Sequence, residues 1–287
     1  RWHHPQERHW YPGNTHIHYN ELEEKPDERL RLDPEVNDLS VTAVSILQRG
    51  EIPYASNKYP IGFMTDFSTD HRLVDCGEES RHNAHHGGYG HVMLLNLRNL
   101  VEPVSRGMLV DNLDPDYPPI CHACDEAREQ DGVVLWCHNG RGLEAPVAAA
   151  LGKLDAFNLF DPFWMDPEYE LWYKLLNCGL HLPASTGTDW FVCSNNRVYV
   201  QTENDFSYAN WIDGMKAGRT FITNSPAVDL KLNEQPMGAT VEFNGDKPLE
   251  AQITFSSYYP IERAELVVDG QVVQRWQWPE GRREGEI

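Results

Sequence analysis

The sequence predicts an α/β fold, a barrel-like set of strands and helices followed by a small β module. Three observations predict it. Strand-like runs alternate with helix-like ones over residues 14–217, which favours a parallel α/β arrangement. Metal-capable residues recur beside the predicted strand ends, and in a parallel barrel those ends converge on one face. After Thr223 the texture changes to short alternating strands with no helices between them.

Strands are expected over residues 14–18, 40–47, 72–77, 91–97, 133–137, 156–160, 182–188 and 197–201. Helices are expected over residues 120–130, 143–151, 166–178 and 208–217. Two of them stop just before a glycine, Gly179 and Gly218, the residue that most readily takes the left-handed turn closing a helix. This number of strands suits a closed or nearly closed barrel. In the second region, strands are expected over residues 228–232, 239–243, 249–256 and 264–268. Asp269-Gly270, set between Leu266-Val267-Val268 and Gln271-Val272-Val273, is a strong hairpin signal. The domains therefore divide as 1–224 and 225–287, with the β module reading as incomplete at Ile287 and carrying no residue tied to chemistry.

Composition narrows the function classes. The chain has 287 residues, enough for one large domain or a large and a small one. Its 44 acidic against 24 basic side chains give a formal charge of −20, which argues against nucleic acid as a partner, since phosphate binding needs a positive surface. The longest apolar runs are strand-sized, so no membrane span is expected. Cys76, Cys121, Cys124, Cys137, Cys178 and Cys193 follow no disulfide-framework spacing. Cys121-His122-Ala123-Cys124 has no second pair and runs into a helical stretch, so two helical thiols are expected there rather than a zinc or redox site. The chain opens at Arg1 rather than at a methionine and reads as a trimmed or mature fragment, so its compartment is not legible. Neither is its oligomeric state.

The chemistry begins at His16-Ile17-His18. In a strand, residues two apart point to the same face, so the two imidazoles lie side by side as half of a metal site. Alone, the pair is as well explained by a surface loop. Glu79 follows the strand ending at Gly77, His138 follows Cys137, and Asp189 follows Thr188. His91 opens a strand after Gly87-Gly88-Tyr89-Gly90. Each has a bland alternative. Glu78 is as good a carboxylate as Glu79 on composition, His91 or Asp189 can cap an element, and His138 can be a satisfied core histidine. Together they fall where a barrel would gather them.

In this order the residues resemble the PHP (polymerase and histidinol phosphatase) superfamily of metallohydrolases, and within it the CehA/McbA family of carbamate and amide hydrolases. The resemblance is carried by Gly13-Asn14-Thr15-His16-Ile17-His18, Gly90-His91-Val92-Met93-Leu94-Leu95-Asn96-Leu97, and Ala149-Ala150-Leu151-Gly152-Lys153-Leu154-Asp155. It continues through Leu171-Trp172-Tyr173-Lys174-Leu175-Leu176-Asn177-Cys178-Gly179, Gly187-Thr188-Asp189, Asn196-Arg197-Val198-Tyr199-Val200 and Gly218-Arg219-Thr220-Phe221-Ile222-Thr223-Asn224. It covers about residues 10–270 in consistent order and implies a distorted (βα)₇-type barrel. It also implies two divalent ions, one on His16, His18 and Asp189, the other on His91 and His138, with Glu79 bridging them. The ligand set suits zinc, manganese or iron. Many relatives hold a third ion, but here Phe191 stands at one of its ligand positions and no histidine lies near residues 45–47. Asn139 replaces the usual proline after His138, which implies a differently shaped loop over residues 139–142.

The resemblance further implies a metal-dependent hydrolase that cleaves a carbamate, amide or ester bond of a small-molecule substrate, with a hydroxide held between the ions as nucleophile. His82 is the candidate proton donor, with His71, His85 and His86 as neighbours in sequence, although a solvated histidine-rich loop explains them equally well. Arg197 is the candidate anion contact, and a structural ion pair is its plain alternative. Two rival readings stand beside this one. A phosphoesterase would need a basic pocket, for which only Arg81, Arg141 and Arg197 are at hand. A non-catalytic binding module would sit on a decayed barrel.

Overall fold

Short alternating strands with helices between them build the first sheet, which the computed structural model describes together with the rest of residues 5–48, 53–82, 89–102, 104–105, 117–138, 143–161, 166–190, 195–245 and 248–287. The elements are β1 (Trp10–Ile17), α1 (Pro26–Val36), β2 (Val41–Ile46), β3 (Gly62–Phe63), β4 (Leu73–His82), β5 (Gly90–Leu95), α2 (Ile120–Glu129), β6 (Val133–Trp136), α3 (Ala145–Ala150), β7 (Ala156–Asn158), α4 (Asp166–Asn177), β8 (Ala184–Ser185), β9 (Arg197–Gln201), α5 (Tyr208–Lys216) and β10 (Thr220–Thr223). Then come β11 (Ala227–Leu232), β12 (Gln235–Pro236), β13 (Ala251–Val268) and β14 (Gln271–Glu286).

The first sheet runs β10-β9-β1-β2-β4-β5-β6-β7-β8, with β3 on β4. Its far end returns to β1. Thr15 N donates to Thr186 O, Thr188 N to His16 O, and His18 N to Asp189 O. These bonds close most of a barrel, with β9 and β10 as an antiparallel extension of β1. The α/β barrel with a small β sheet after it matches the expected fold class.

The barrel is not wholly parallel. β5 runs against both β4 and β6. A parallel neighbour needs a crossover of a dozen or more residues, and only seven separate His82 from Gly90, so the chain turns back as a hairpin. Pairing with β5 also carries β4 on to His82, so Glu79 lies within a strand rather than after one.

Alternation sorts the side chains. Val92, Leu94, Val134 and Trp136 face outward and pack against α2, α3 and α4. Val41, Ala43, Met93, Leu95, Val133, Leu135 and Cys137 fill the inside. A third cluster, with Ile17, Tyr19, Leu30, Val44 and Val74, lies under α1. That helix is absent from the predicted elements because Pro34 lies inside it. Pro34 removes one helical N–H, and its own carbonyl accepts from Leu39 N beyond the helix end.

The second sheet is antiparallel, in the order β12-β11-β13-β14. Asp269 and Gly270 have positive φ, as the hairpin signal requires. Two expected strands, residues 249–256 and 264–268, are parts of one long strand, β13, while residues 239–243 form no strand. Gly179 (φ 80°) and Gly218 (φ 77°) take the left-handed turns after α4 and α5.

Candidate metal centre

The HxH motif sits on an irregularity. Between Asn14 and Ile17 the pairing of β1 with β2 slips by one residue, and His16 N bonds Asn14 Oδ1 (3.1 Å) instead of the neighbouring strand. Such a bulge re-aims a side chain at a strand end. It brings His16 and His18 to the same interior space, both fully buried. Gly187 lets the last loop reach them, because a Cβ there would stand 2.3 Å from His16 Cβ. Asp189 follows in a left-handed turn (φ 55°).

The outer nitrogens of both imidazoles are taken. His18 Nδ1 donates to the Ser45 carbonyl (3.1 Å), and His16 Nδ1 meets the Asp161 carboxylate (2.8 Å). Such partners fix ring orientation and leave Nε2 for a ligand. The two Nε2 atoms face each other at 3.0 Å. Two lone pairs that close need a cation between them. Burial opposes charge on His16, but Asp161 and Cys137 lift its pKa well above the usual value.

Two carboxylates complete the cluster and divide their oxygens. Glu79 Oε2 lies 3.0 Å from His18 Nε2 and 3.6 Å from His16 Nε2. Its Oε1 lies 3.2 Å from His91 Nδ1, 3.3 Å from His138 Nε2 and 2.9 Å from Arg81 Nε. Asp189 Oδ1 is 3.7 Å from both His16 and His18, and Oδ2 is 3.5 Å from His138. Among the described residues, no hydrogen-bond donor reaches the buried Asp189 Oδ1. Burial would raise the Glu79 pKa, but Arg81 and the imidazoles hold it well below the usual range. Burial and Arg81 push His91 down to about 3, keeping its ring neutral. His91 reaches this end from the start of its strand because β5 is reversed, pairing with Arg81 across the hairpin.

The structure separates the two glutamates. Glu78 points to the outer face, where its Oε2 accepts from Val101 N (3.0 Å) and burial pushes its pKa well above normal. By the same alternation His82 falls on the Glu78 face and Arg81 on the Glu79 face, so the candidate proton donor is directed away from the cluster. His71 is exposed at the opposite end of β4. Arg197 donates to the carbonyls of Asn37 (2.7 and 3.2 Å) and Asn195 (2.6 Å), which pins loops. His85, His86, Arg141, Phe191, Cys193 and the loop 139–142 lie outside the described residues.

Three contributors were not singled out from sequence, and a fourth, Arg81, was named there only as a candidate phosphate contact. Asp161 follows β7 and orients His16, and the strand-end logic that found Asp189 applies to it equally. Arg81 neutralises Glu79. Cys137 faces inward with Leu135, directly beneath the cluster. Glu168, in the first turn of α4, is 1% exposed with neither carboxylate oxygen paired among the described residues, and burial raises its pKa to about 8, with His138 and Asp161 the charges it feels.

Donor atoms of His16, His18, Glu79 and Asp189 lie within 4.8 Å of one another, as do those of His16, Glu79, Cys137 and His138. Nitrogen, carboxylate and thiol donors, all buried and facing inward, fit a divalent cation. Fold and cluster together define an α/β-barrel protein with a buried centre competent to bind metal. Cys76, Cys121, Cys124, Cys137 and Cys178 are free thiols, Cys121 and Cys124 both in α2. Among the described residues, no helix is long and apolar enough to cross a membrane.

No family model matches the chain, and no curated protein matches it. Five chains of solved structure do. One is the lesion-specific endonuclease PfuEndoQ from Pyrococcus furiosus, 13% identical with a TM-score of 0.46. That match covers 74% of this chain and 57% of the endonuclease chain, so this chain spans little more than half the length of that one.

Proposed function

We propose that the protein is a metal-dependent hydrolase of the PHP type, nearest the CehA/McbA family, cleaving a carbamate, amide or ester bond in a small-molecule substrate. One observation carries the reading: two imidazoles with both Nδ1 atoms engaged face each other through Nε2 at 3.0 Å, with two carboxylates beside them. His16, His18 and Asp189 would hold one ion, His91 and His138 a second, with Glu79 between them. Divalent ions there supply Lewis acidity and lower the pKa of water toward neutrality.

The chain's own residues do the rest. Asp161 and the Ser45 carbonyl orient the two leading imidazoles. Arg81 balances Glu79 while leaving Oε2 toward His16 and His18. Closure of the barrel around the cluster excludes bulk water, which strengthens every charge interaction inside it. The described arginines favour a neutral carbonyl substrate over a phosphoester. Arg81 is committed to Glu79, and Arg197 to loop carbonyls.

Elemental analysis of the purified protein, combined with aryl carbamates, amides, esters and phosphate mono- and diesters as substrates, tests the reading. About two ions per chain and turnover of a carbonyl substrate are expected. His16→Ala and Asp189→Ala should each lose bound metal and cut turnover by about two orders of magnitude or more. Unaltered turnover in either variant overturns the assignment. Turnover confined to phosphoesters makes the protein a phosphoesterase, and a metal-free, inert protein makes it a binding module.

A further inference from the structure

We propose that Cys137 is a sulfur ligand to an ion lying among His16, Glu79 and His138, a grouping that joins the histidines otherwise divided between the two ions. The inference rests on the metal-centre reading and adds a donor that the PHP resemblance does not supply. Strand alternation places it. Val134 and Trp136 face the helices, so Leu135 and Cys137 face the barrel interior, and the strand ends between them. Cys137 is therefore the interior residue immediately past the end of β6, with no solvent exposure. Its Sγ belongs to the group whose donor atoms lie within 4.8 Å of one another, together with His16, Glu79 and His138. The Cys137 thiol donates weakly to the Leu135 carbonyl at 4.0 Å, the limit for sulfur, and also interacts with His16.

Coordination exchanges the S–H bond for an S–metal bond and releases one proton to solvent, with no oxidant or reductant required. A thiolate donor softens the site. It favours zinc, iron(II) or cobalt(II) over manganese or magnesium, which prefer oxygen ligands.

The test uses the intact protein loaded with zinc or with cobalt(II). X-ray absorption at the zinc edge should show a sulfur neighbour at about 2.3 Å. The cobalt form should show sulfur-to-metal charge-transfer absorption in the near ultraviolet. Both signals should vanish in Cys137→Ser, with zinc affinity falling about tenfold or more and manganese affinity little changed. The wild-type spectra decide the point even if that variant does not fold. Bound zinc with only nitrogen and oxygen neighbours overturns the inference but leaves the metal centre standing, as does a sulfur signal that persists in Cys137→Ser. Failure of the wild type to bind any ion overturns both.

Discussion

At the scale of single residues, the centre depends on groups that never need touch an ion. Asp161 holds the His16 ring by one 2.8 Å contact, and a partner of this kind sets both tautomer and basicity. Asp161→Asn should therefore weaken zinc binding by about 10–100-fold with little change in fold, as titration of the apo protein with zinc would measure. Glu168 presents the reverse case, a buried carboxyl with no hydrogen-bond partner among the described residues. Its pKa is raised to about 8 in the folded state, so the folded chain keeps a proton that the unfolded chain has lost above about pH 4.5. Stability from this group is full below that pH and declines as pH rises toward 8. Glu168→Gln removes the titration. Melting curves from pH 5 to 8.5 should show wild type losing stability relative to the variant, by roughly 1–3 kcal/mol at the alkaline end. Parallel curves would refute this.

At the scale of elements, sequence was most informative where a strand's end alone decided a position. His16, His18, His138 and Asp189 were found by that rule, and they meet. The rule misplaced Glu79 relative to its strand, because β4 continues only through its pairing with β5, a contact that local composition does not encode. It also put His82 near the centre, since proximity in sequence to Glu79 says nothing about parity along a strand whose length was underestimated. Arg197 looked like an anion contact because loop carbonyls, its actual partners, are invisible in a sequence. Asp161 was legible by the same rule and was passed over. The closing segment permits a sharp test. A Cβ on residue 187 would fall 2.3 Å from His16 Cβ and 2.8 Å from His16 N. Gly187→Ala should push the two segments apart, lowering stability by roughly 1–3 kcal/mol and weakening metal binding together. A variant that melts lower but binds zinc normally would show that the close approach serves packing alone.

At the scale of the whole molecule, two sheets meet along an aromatic seam. Trp10 from β1, Phe221 from β10 and Ala227 from β11 form one buried cluster, with Tyr199 stacked on Phe221 at 4.9 Å. Arg8 pairs with Asp229 beside it (2.8 Å). This seam lies toward the start of β1, while the centre lies at its other end, so the two should be separable. Phe221→Ala is expected to cost about 3 kcal/mol through the cavity it leaves. Ion stoichiometry should stay unchanged, which thermal melts and elemental analysis would establish. Loss of the ions in that variant would mean that the β module bears on the centre.

The return of residues 186–189 to β1 also bears on the order of folding. Glu79 and His91 belong to one hairpin and can meet early, because their loop is short. His16 and Asp189 come from opposite ends of the barrel chain and meet only when the last seam shuts, the slow kind of contact in a chain of this topology. An ion bound by both would therefore act as a latch across that seam. Part of its binding free energy goes into holding the barrel closed, and the emptied protein should first breathe along the line between His16 and Asp189.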